Sequence, residues 1–125
     1  MASGSKGTVL VVDDDLSLLR ALRRLLSAAD LKVKVFESAE RFLASEIPAQ
    51  RVCLLLDLYL PGISGLDLCR TLAESGRSLP TVLMSAHDDE ETRNSVREAG
   101  AVGTLYKPFD EDVLLNTIMR ALGVK

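Results

Sequence analysis

At 125 residues, 47% hydrophobic and 26% charged, the chain has the size and balance of one globular domain, which excludes intrinsic disorder and a second folded unit. The net charge is only −3 and no stretch concentrates Lys and Arg, which argues against direct nucleic-acid binding. No apolar run approaches the roughly 20 residues that cross a bilayer and no signal-peptide core opens the chain, so a cytoplasmic protein without a membrane partner is expected.

The opening "MASGSKG" (1–7) is small and polar and reads as a disordered leader or cloning remnant, outside a domain expected to span 8–122. The first strand, "TVLVV" (8–12), runs into three carboxylates, Asp13, Asp14 and Asp15. Asp15 is placed to cap the next helix, whose Leu18, Leu19, Leu22, Leu25, Leu26 and Ala29 recur at helical spacing. "KVKVF" (32–36) is the second strand, and Ser38 is the expected N-cap of a helix carrying Ala39, Phe42 and Leu43.

The third strand, "VCLLL" (52–56), has the length and branching of a strand buried on both faces, yet it runs into Asp57. Burying an ionised carboxylate without a partner costs several kcal/mol, so Asp57 is exposed at the strand end, held by cations, or both. Beyond "LPGIS", a helix with Leu66, Leu68, Cys69 and Leu72 runs to Gly76, a natural stop. "TVLMS" (81–85) is the fourth strand and closes on Ser85. A helix at 88–99 has acidic residues at its N-terminal end, where the macrodipole favours them, but its apolar stripe offers little beyond Val96 and Ala99. "VGTLY" (102–106) is the fifth strand, followed by Lys107 and Pro108, and the last helix spans about 110–122 with Leu115, Ile118, Met119 and Leu122. Cys53 and Cys69 have no Cys-x-x-Cys spacing and no nearby His, and read as core thiols.

Strict alternation of helices with continuous apolar strands implies a doubly wound α/β domain. Its five-stranded parallel sheet carries helices on both faces, joined by right-handed crossovers. Such sheets bind ligands beyond the carboxyl ends of their strands. There the first strand brings Asp13 and Asp14, the third Asp57, the fourth Ser85 and the fifth Lys107, while the second brings only Glu37.

Carboxylates that meet at one sheet edge repel unless something positive sits among them. Hard oxygen ligands with room left for water suit Mg²⁺. A solvated strand-to-helix turn accounts for Asp15, but not for Asp13 and Asp14 converging on Asp57. A carboxylate beside Mg²⁺, with an ammonium and a hydroxyl at hand, is equipped for phosphoryl transfer, in which positioning and charge neutralisation supply most of the catalysis. In that chemistry Asp57 is the nucleophile that forms an aspartyl phosphate. Lys107 pairs with the phosphoryl oxygens and Ser85 hydrogen-bonds one of them.

The segments "VLVVDDD", "LLLDLYLPGISG", "VLMSA" and "LYKPF" together resemble the four signature segments of two-component response-regulator receiver domains, over essentially residues 8–122. The resemblance implies a flavodoxin-like fold with strand order 2-1-3-4-5. It implies a regulatory phosphoacceptor rather than an enzyme, one that assists its own phosphoryl transfer and dephosphorylation. Asp57 is then the phosphoacceptor for a sensor histidine kinase, Asp13 and Asp14 the acidic pair, Ser85 the switch hydroxyl and Lys107 the phosphate-sensing lysine. Also implied are Mg²⁺ held by Asp14, Asp57 and the Tyr59 carbonyl, with Asp13 acting through water, and a cis Lys107–Pro108 peptide. "FESAERFLAS" and "GLDLCRTLAESGRSLPTVLMSA" are similar to the subclass whose receiver precedes a LuxR-type helix-turn-helix domain, which implies control of transcription. No helix-turn-helix lies within these residues, so an excised receiver or a single-domain regulator acting in a phosphorelay is expected.

Tyr59 and His87 stand two residues beyond Asp57 and Ser85, positions that in this family flank the path of the hydrolytic water. Both are candidates for setting phosphoryl lifetime. Many receivers carry an aromatic residue three positions before the lysine; here that position is Thr104, and the aromatic is Tyr106. Thr104 and Tyr106 share a face of the fifth strand, so Tyr106 is expected to fill space that Ser85 vacates. Helix 88–99 is expected to be the least stable element and the one that shifts. The remodelled surface, and the expected homodimer interface, is then the face made by that helix, the fifth strand and the last helix. A haloacid-dehalogenase-type phosphatase also uses a strand-end Asp and Mg²⁺, but it needs a second Asp where Tyr59 stands. Flavin binding calls for a phosphate-cradling loop after the first strand, and "DDDLS" repels phosphate.

Overall fold

A computed structural model describes residues 6–48 and 50–123. Among them β1 (Thr8–Val12), α1 (Leu16–Ala28), β2 (Lys32–Phe36), α2 (Ala39–Leu43), β3 (Val52–Asp57), α3 (Gly65–Glu74), β4 (Thr81–Ser85), α4 (Glu90–Ala99), β5 (Gly103–Tyr106) and α5 (Glu111–Ala121) alternate strictly. Every strand pairing is parallel, as the alternation of elements implies, and the order is β2-β1-β3-β4-β5, as the family resemblance implies. Residues 1–5 of the expected leader lie outside the described residues. Lys6 and Gly7 are tied to the sheet: the Lys6 N–H donates to the Asp30 carbonyl, and the Gly7 carbonyl accepts from the Lys32 N–H.

Alternation along the strands divides the core into two layers. Val9, Val11, Cys53, Leu55, Val82, Met84 and Leu105 pack with Leu19, Leu22 and Leu26 of α1 and with Leu114 and Ile118 of α5. Leu10, Val12, Leu54, Leu56 and Leu83 pack with Phe42 of α2, Leu68 and Leu72 of α3, and the partly buried Val96 and Ala99 of α4. Each fully buried aliphatic side chain contributes about 1.5–3 kcal/mol. The central strands therefore anchor the fold, while the edge strand β2 turns Lys32 and Lys34 outward.

Local chemistry sets the helix starts. The Asp15 carboxylate accepts the Ser17 and Leu18 N–H groups, Ser38 accepts that of Arg41, Ser64 that of Asp67 and Asp89 that of Thr92. Such caps are each worth about 1 kcal/mol. Three sequence expectations shift slightly. The helix expected at 88–99 begins at Glu90, because Asp89 is its cap rather than its second residue. β5 begins at Gly103: Val102 gives its N–H to the Thr81 carbonyl, but its side chain stays 57% exposed. In α5 the fully buried pair is Leu114 and Ile118, one turn apart, while Leu115, Met119 and Leu122 are partly buried. Both cysteines are free; burial raises the Cys53 thiol to about 12 and pushes the half-buried Cys69 thiol up as well, which disfavours the thiolate at both. Among the described residues no helix is long and apolar enough to cross a membrane.

Candidate functional site

Asp57 is the last residue of β3, registered against Met84 and only 8% exposed. The chain leaves it through Leu58, whose N–H donates to the Met84 carbonyl, and returns at Gly65, whose N–H donates to the Leu58 carbonyl. A Cβ on Gly65 would lie 2.6 Å from the Asp57 carbonyl oxygen and 2.8 Å from the Leu58 Cα. Only glycine lets α3 start this close to the strand end.

Asp13 follows β1 and is fully buried. Its Oδ1 accepts the Asp15 N–H at 2.9 Å, and its Oδ2 accepts from Lys107 Nζ, also at 2.9 Å. The same ammonium lies 3.6 Å from Asp57 Oδ2. Lys107 is held by its own N–H, which donates to the Ser85 carbonyl, and the Lys107–Pro108 peptide is cis. Carboxylate oxygens of Asp13, Asp14 and Asp57 lie within 4.8 Å of one another, with Asp14 on the solvent side. The convergence expected from the strand ends is therefore present for these four side chains.

Burial pushes the Asp57 carboxyl above its ordinary range, and the charge on Asp13 adds to the shift. Lys107, together with the Tyr59 N–H on Asp57 Oδ1 at 3.2 Å, offsets only part of it. For Lys107, burial disfavours the charged form. The hydrogen bond to Asp13 and the charges of Asp57 and Asp13 outweigh that loss, and its pKa is raised. Three carboxylates facing one ammonium leave a deficit of positive charge. Hard oxygen donors at this spacing, open to water on the Asp14 side, fit a small divalent cation.

Ser85 is fully buried and belongs to the other half of the edge. Its Oγ donates to the His87 carbonyl and accepts the His87 N–H, both at 3.0 Å, so it is engaged with the loop before α4. In the parallel register Tyr106 lies beside Ser85 and Thr104 beside Leu83, and both residues are half-buried. Tyr59 is 48% exposed, and its ring meets His87 edge-to-face with centroids 5.5 Å apart. Two residues with separate places in the sequence thus form one contact. The Tyr59 hydroxyl reaches 2.9 Å from Oγ1 of Thr92, the fully buried residue of α4. A polar residue gives no apolar signal, so Thr92 is absent from the expected stripe of this helix. Its spacing to Val96 and Ala99, four and seven residues on, places all three on one helical stripe. A cavity of about 810 Å³, lined in part by Ile47, Arg51, Arg77, Leu79 and Leu122, lies away from this cluster and contains none of these residues.

The family model described as response regulator receiver domain matches residues 9–119. The chain is 39% identical over 117 residues to the response regulator protein TmoT of Ectopseudomonas mendocina, covering 94% of this chain and 53% of that protein. It is 34% identical over 115 residues to the transcriptional regulatory protein FixJ of Azorhizobium caulinodans, covering 92% and 54%. The chain thus spans about half the length of these curated relatives. Among solved structures it is similar to the response regulator StyR, with TM-score 0.86, 40% identity and coverage of 95% of this chain and 60% of that one. It is also similar to the structure titled FixJ-N, with TM-score 0.84, 32% identity and 94% of each chain covered. The acidic cluster with its lysine, the 2-1-3-4-5 sheet and matches that run along nearly the whole chain agree, and the chain belongs to the response regulator receiver domain family of two-component signalling.

Proposed function

We propose that this domain is a phosphorylation-dependent switch whose phosphoacceptor is Asp57, supplied by the phosphohistidine of a sensor histidine kinase. The observation that carries the reading is the meeting of Asp13, Asp14, Asp57 and Lys107 at the carboxyl edge of the sheet. An Asp57 carboxylate oxygen attacks phosphorus, the phosphorus–nitrogen bond to the kinase imidazole breaks, and the leaving nitrogen takes up a proton. Asp14, Asp57 and the Tyr59 carbonyl, with Asp13 acting through a water, would hold Mg²⁺, which would supply charge neutralisation for the transferred group. Lys107 exchanges its contact with Asp57 for one with a phosphoryl oxygen. Asp13 and Asp57 favour the charged form of its ammonium despite its burial. The same cluster assists hydrolysis of the acyl phosphate.

Output begins when the Ser85 hydroxyl leaves the His87 backbone for a phosphoryl oxygen. Tyr106, registered beside Ser85, moves into the vacated space, and α4, which contributes one fully buried residue, shifts. The face of α4, β5 and α5 is thereby remodelled and becomes a homodimer interface. Relatives of about twice this length are described as transcriptional regulators, which supports control of transcription as the output.

Reduction with borohydride after incubation with acetyl phosphate tests the assignment, because it converts an aspartyl phosphate to homoserine at the modified position. Peptide sequencing is expected to place homoserine at position 57. Homoserine elsewhere, or none, would contradict it.

A further inference from the structure

We infer that Thr92 is a positioning residue whose hydroxyl tethers the Tyr59 ring across the site and so lengthens the life of the phosphoryl group. The inference rests on the proposed phosphorylation of Asp57. Thr92 is the fully buried residue of α4, a helix otherwise partly or wholly exposed. A hydroxyl at the most buried position of a helix is costly unless it is hydrogen-bonded. Here the hydroxyl has a side-chain partner 33 residues away in sequence, the Tyr59 hydroxyl at 2.9 Å, and the carboxylate of its own cap residue Asp89 is also within its reach.

Tyr59 sits where such a tether has an effect. Its N–H already holds Asp57 Oδ1, so its backbone position is tied to the reacting carboxylate. Its side chain is 48% exposed, and burial alone does not fix the ring. Two contacts define it: the Thr92 hydroxyl at its tip and the His87 ring on its side. The His87 backbone in turn holds the Ser85 hydroxyl, and the Asp89 carboxylate holds the Thr92 N–H at 2.8 Å. Asp57, Tyr59, His87 and Ser85 thus form a chain of contacts from the β3 end to the β4 end, and Thr92, in the first turn of α4, joins it at the Tyr59 hydroxyl. Movement of Ser85 toward a phosphoryl oxygen displaces His87 and loads the Tyr59–Thr92 bond. While that bond holds, the ring stays against His87, on the residue whose N–H holds Asp57 Oδ1, and hinders the approach of water. When it breaks, α4 is free to move and the ring to swing aside.

Four variants test the tether: Thr92→Val, which keeps the shape and removes the hydroxyl, Thr92→Ser, which keeps the hydroxyl, Tyr59→Phe, and the Tyr59→Phe/Thr92→Val double variant. In the unphosphorylated protein, amide exchange over 90–94 is expected to rise about five- to tenfold in Thr92→Val and in Tyr59→Phe, the scale of one net hydrogen bond. Thr92→Ser should match wild type, and the double variant should not exceed Thr92→Val. After loading from acetyl phosphate, hydrolysis should be several-fold faster in Thr92→Val and Tyr59→Phe and unchanged in Thr92→Ser. Additive effects in the double variant, or Thr92→Ser behaving like Thr92→Val, would overturn the tether. A wild-type protein that takes up no phosphoryl group would overturn the reading of Asp57 and the lifetime claim with it, while the exchange data would still decide on the bond itself.

Discussion

Lys107 Nζ lies 2.9 Å from Asp13 Oδ2, a contact that spans 94 residues of sequence and supplies the counter-charge of a fully buried carboxylate. Removing one partner of a buried pair leaves an uncompensated charge. Lys107→Ala is therefore expected to lower stability by about 3 kcal/mol in chelator. Millimolar Mg²⁺ should restore part of the loss by returning positive charge to the cluster. Urea unfolding with and without the metal measures both effects. A cost below about 1 kcal/mol, or no difference with metal, would place the pair among weak surface contacts.

Asp57 gives a pH-dependent signature of opposite sense. Burial first, and then the charge of Asp13, hold its folded pKa above the ordinary 3.8. Between those two values the native state binds more protons than the unfolded chain, so stability falls as pH rises through the window and stays lower above it. Asp57→Asn removes this penalty. In chelator at neutral pH the variant should be more stable than wild type by roughly 1 kcal/mol, about 3–5 °C in Tm for a chain of this size. The advantage should shrink as pH falls toward 3.8. Thermal unfolding across pH 3 to 8 reads the difference, and an advantage that persists unchanged at the acid end would refute the cause given.

Gly65 and Gly76 separate steric need from backbone need. At Gly65 an added Cβ meets backbone atoms of Asp57 and Leu58 inside 3.0 Å, whereas at Gly76, with φ of +72°, nothing lies within 4 Å. Gly76→Ala should cost about 1 kcal/mol through its left-handed conformation. Gly65→Ala should cost about 2–3 kcal/mol and slow phosphoryl uptake, because Asp57 must shift to admit the methyl group. Equal costs would show that the α3 start does not position the carboxylate.

Much of this site could be read before any coordinates, because strand-end residues of a parallel sheet converge by topology. Asp13 and Asp57 each follow a run of buried aliphatics and Lys107 follows the shorter β5, in which only Leu105 is buried, so their shared location depended only on recognising the strands. Side-chain engagement was less legible. Nothing in the sequence indicates that Ser85 Oγ rests on the His87 backbone, or that Tyr59 and His87 touch, since both contacts depend on loop paths rather than periodicity. Thr92 was hidden for a different reason. A hydroxyl on a thin stripe reads as solvent-facing until a partner on another element accounts for its burial. Val102 shows the converse, a β-branched residue that keeps its ladder hydrogen bond while its side chain stays outside the core.

The register of β5 bears on how the signal spreads. Tyr106 lies beside Ser85 and Thr104 beside Leu83, so of the two only Tyr106 is adjacent to the hydroxyl proposed to move. Hydrogen exchange with and without beryllofluoride should show changes centred on 86–106, and Tyr106→Ala should weaken them more than Thr104→Ala. Changes confined to 38–46, or equal effects of the two substitutions, would rule this route out.

The most direct measurement is intact mass after incubation with acetyl phosphate, run on wild type and Asp57→Asn, each with Mg²⁺ and with chelator. A carboxylate crowded by Asp13 and Asp14 and only partly offset by Lys107 is expected to take up one phosphoryl group in wild type with Mg²⁺ and none in the other three samples. Uptake by Asp57→Asn, or equal uptake after chelation, would contradict Asp57 as a metal-dependent phosphoacceptor.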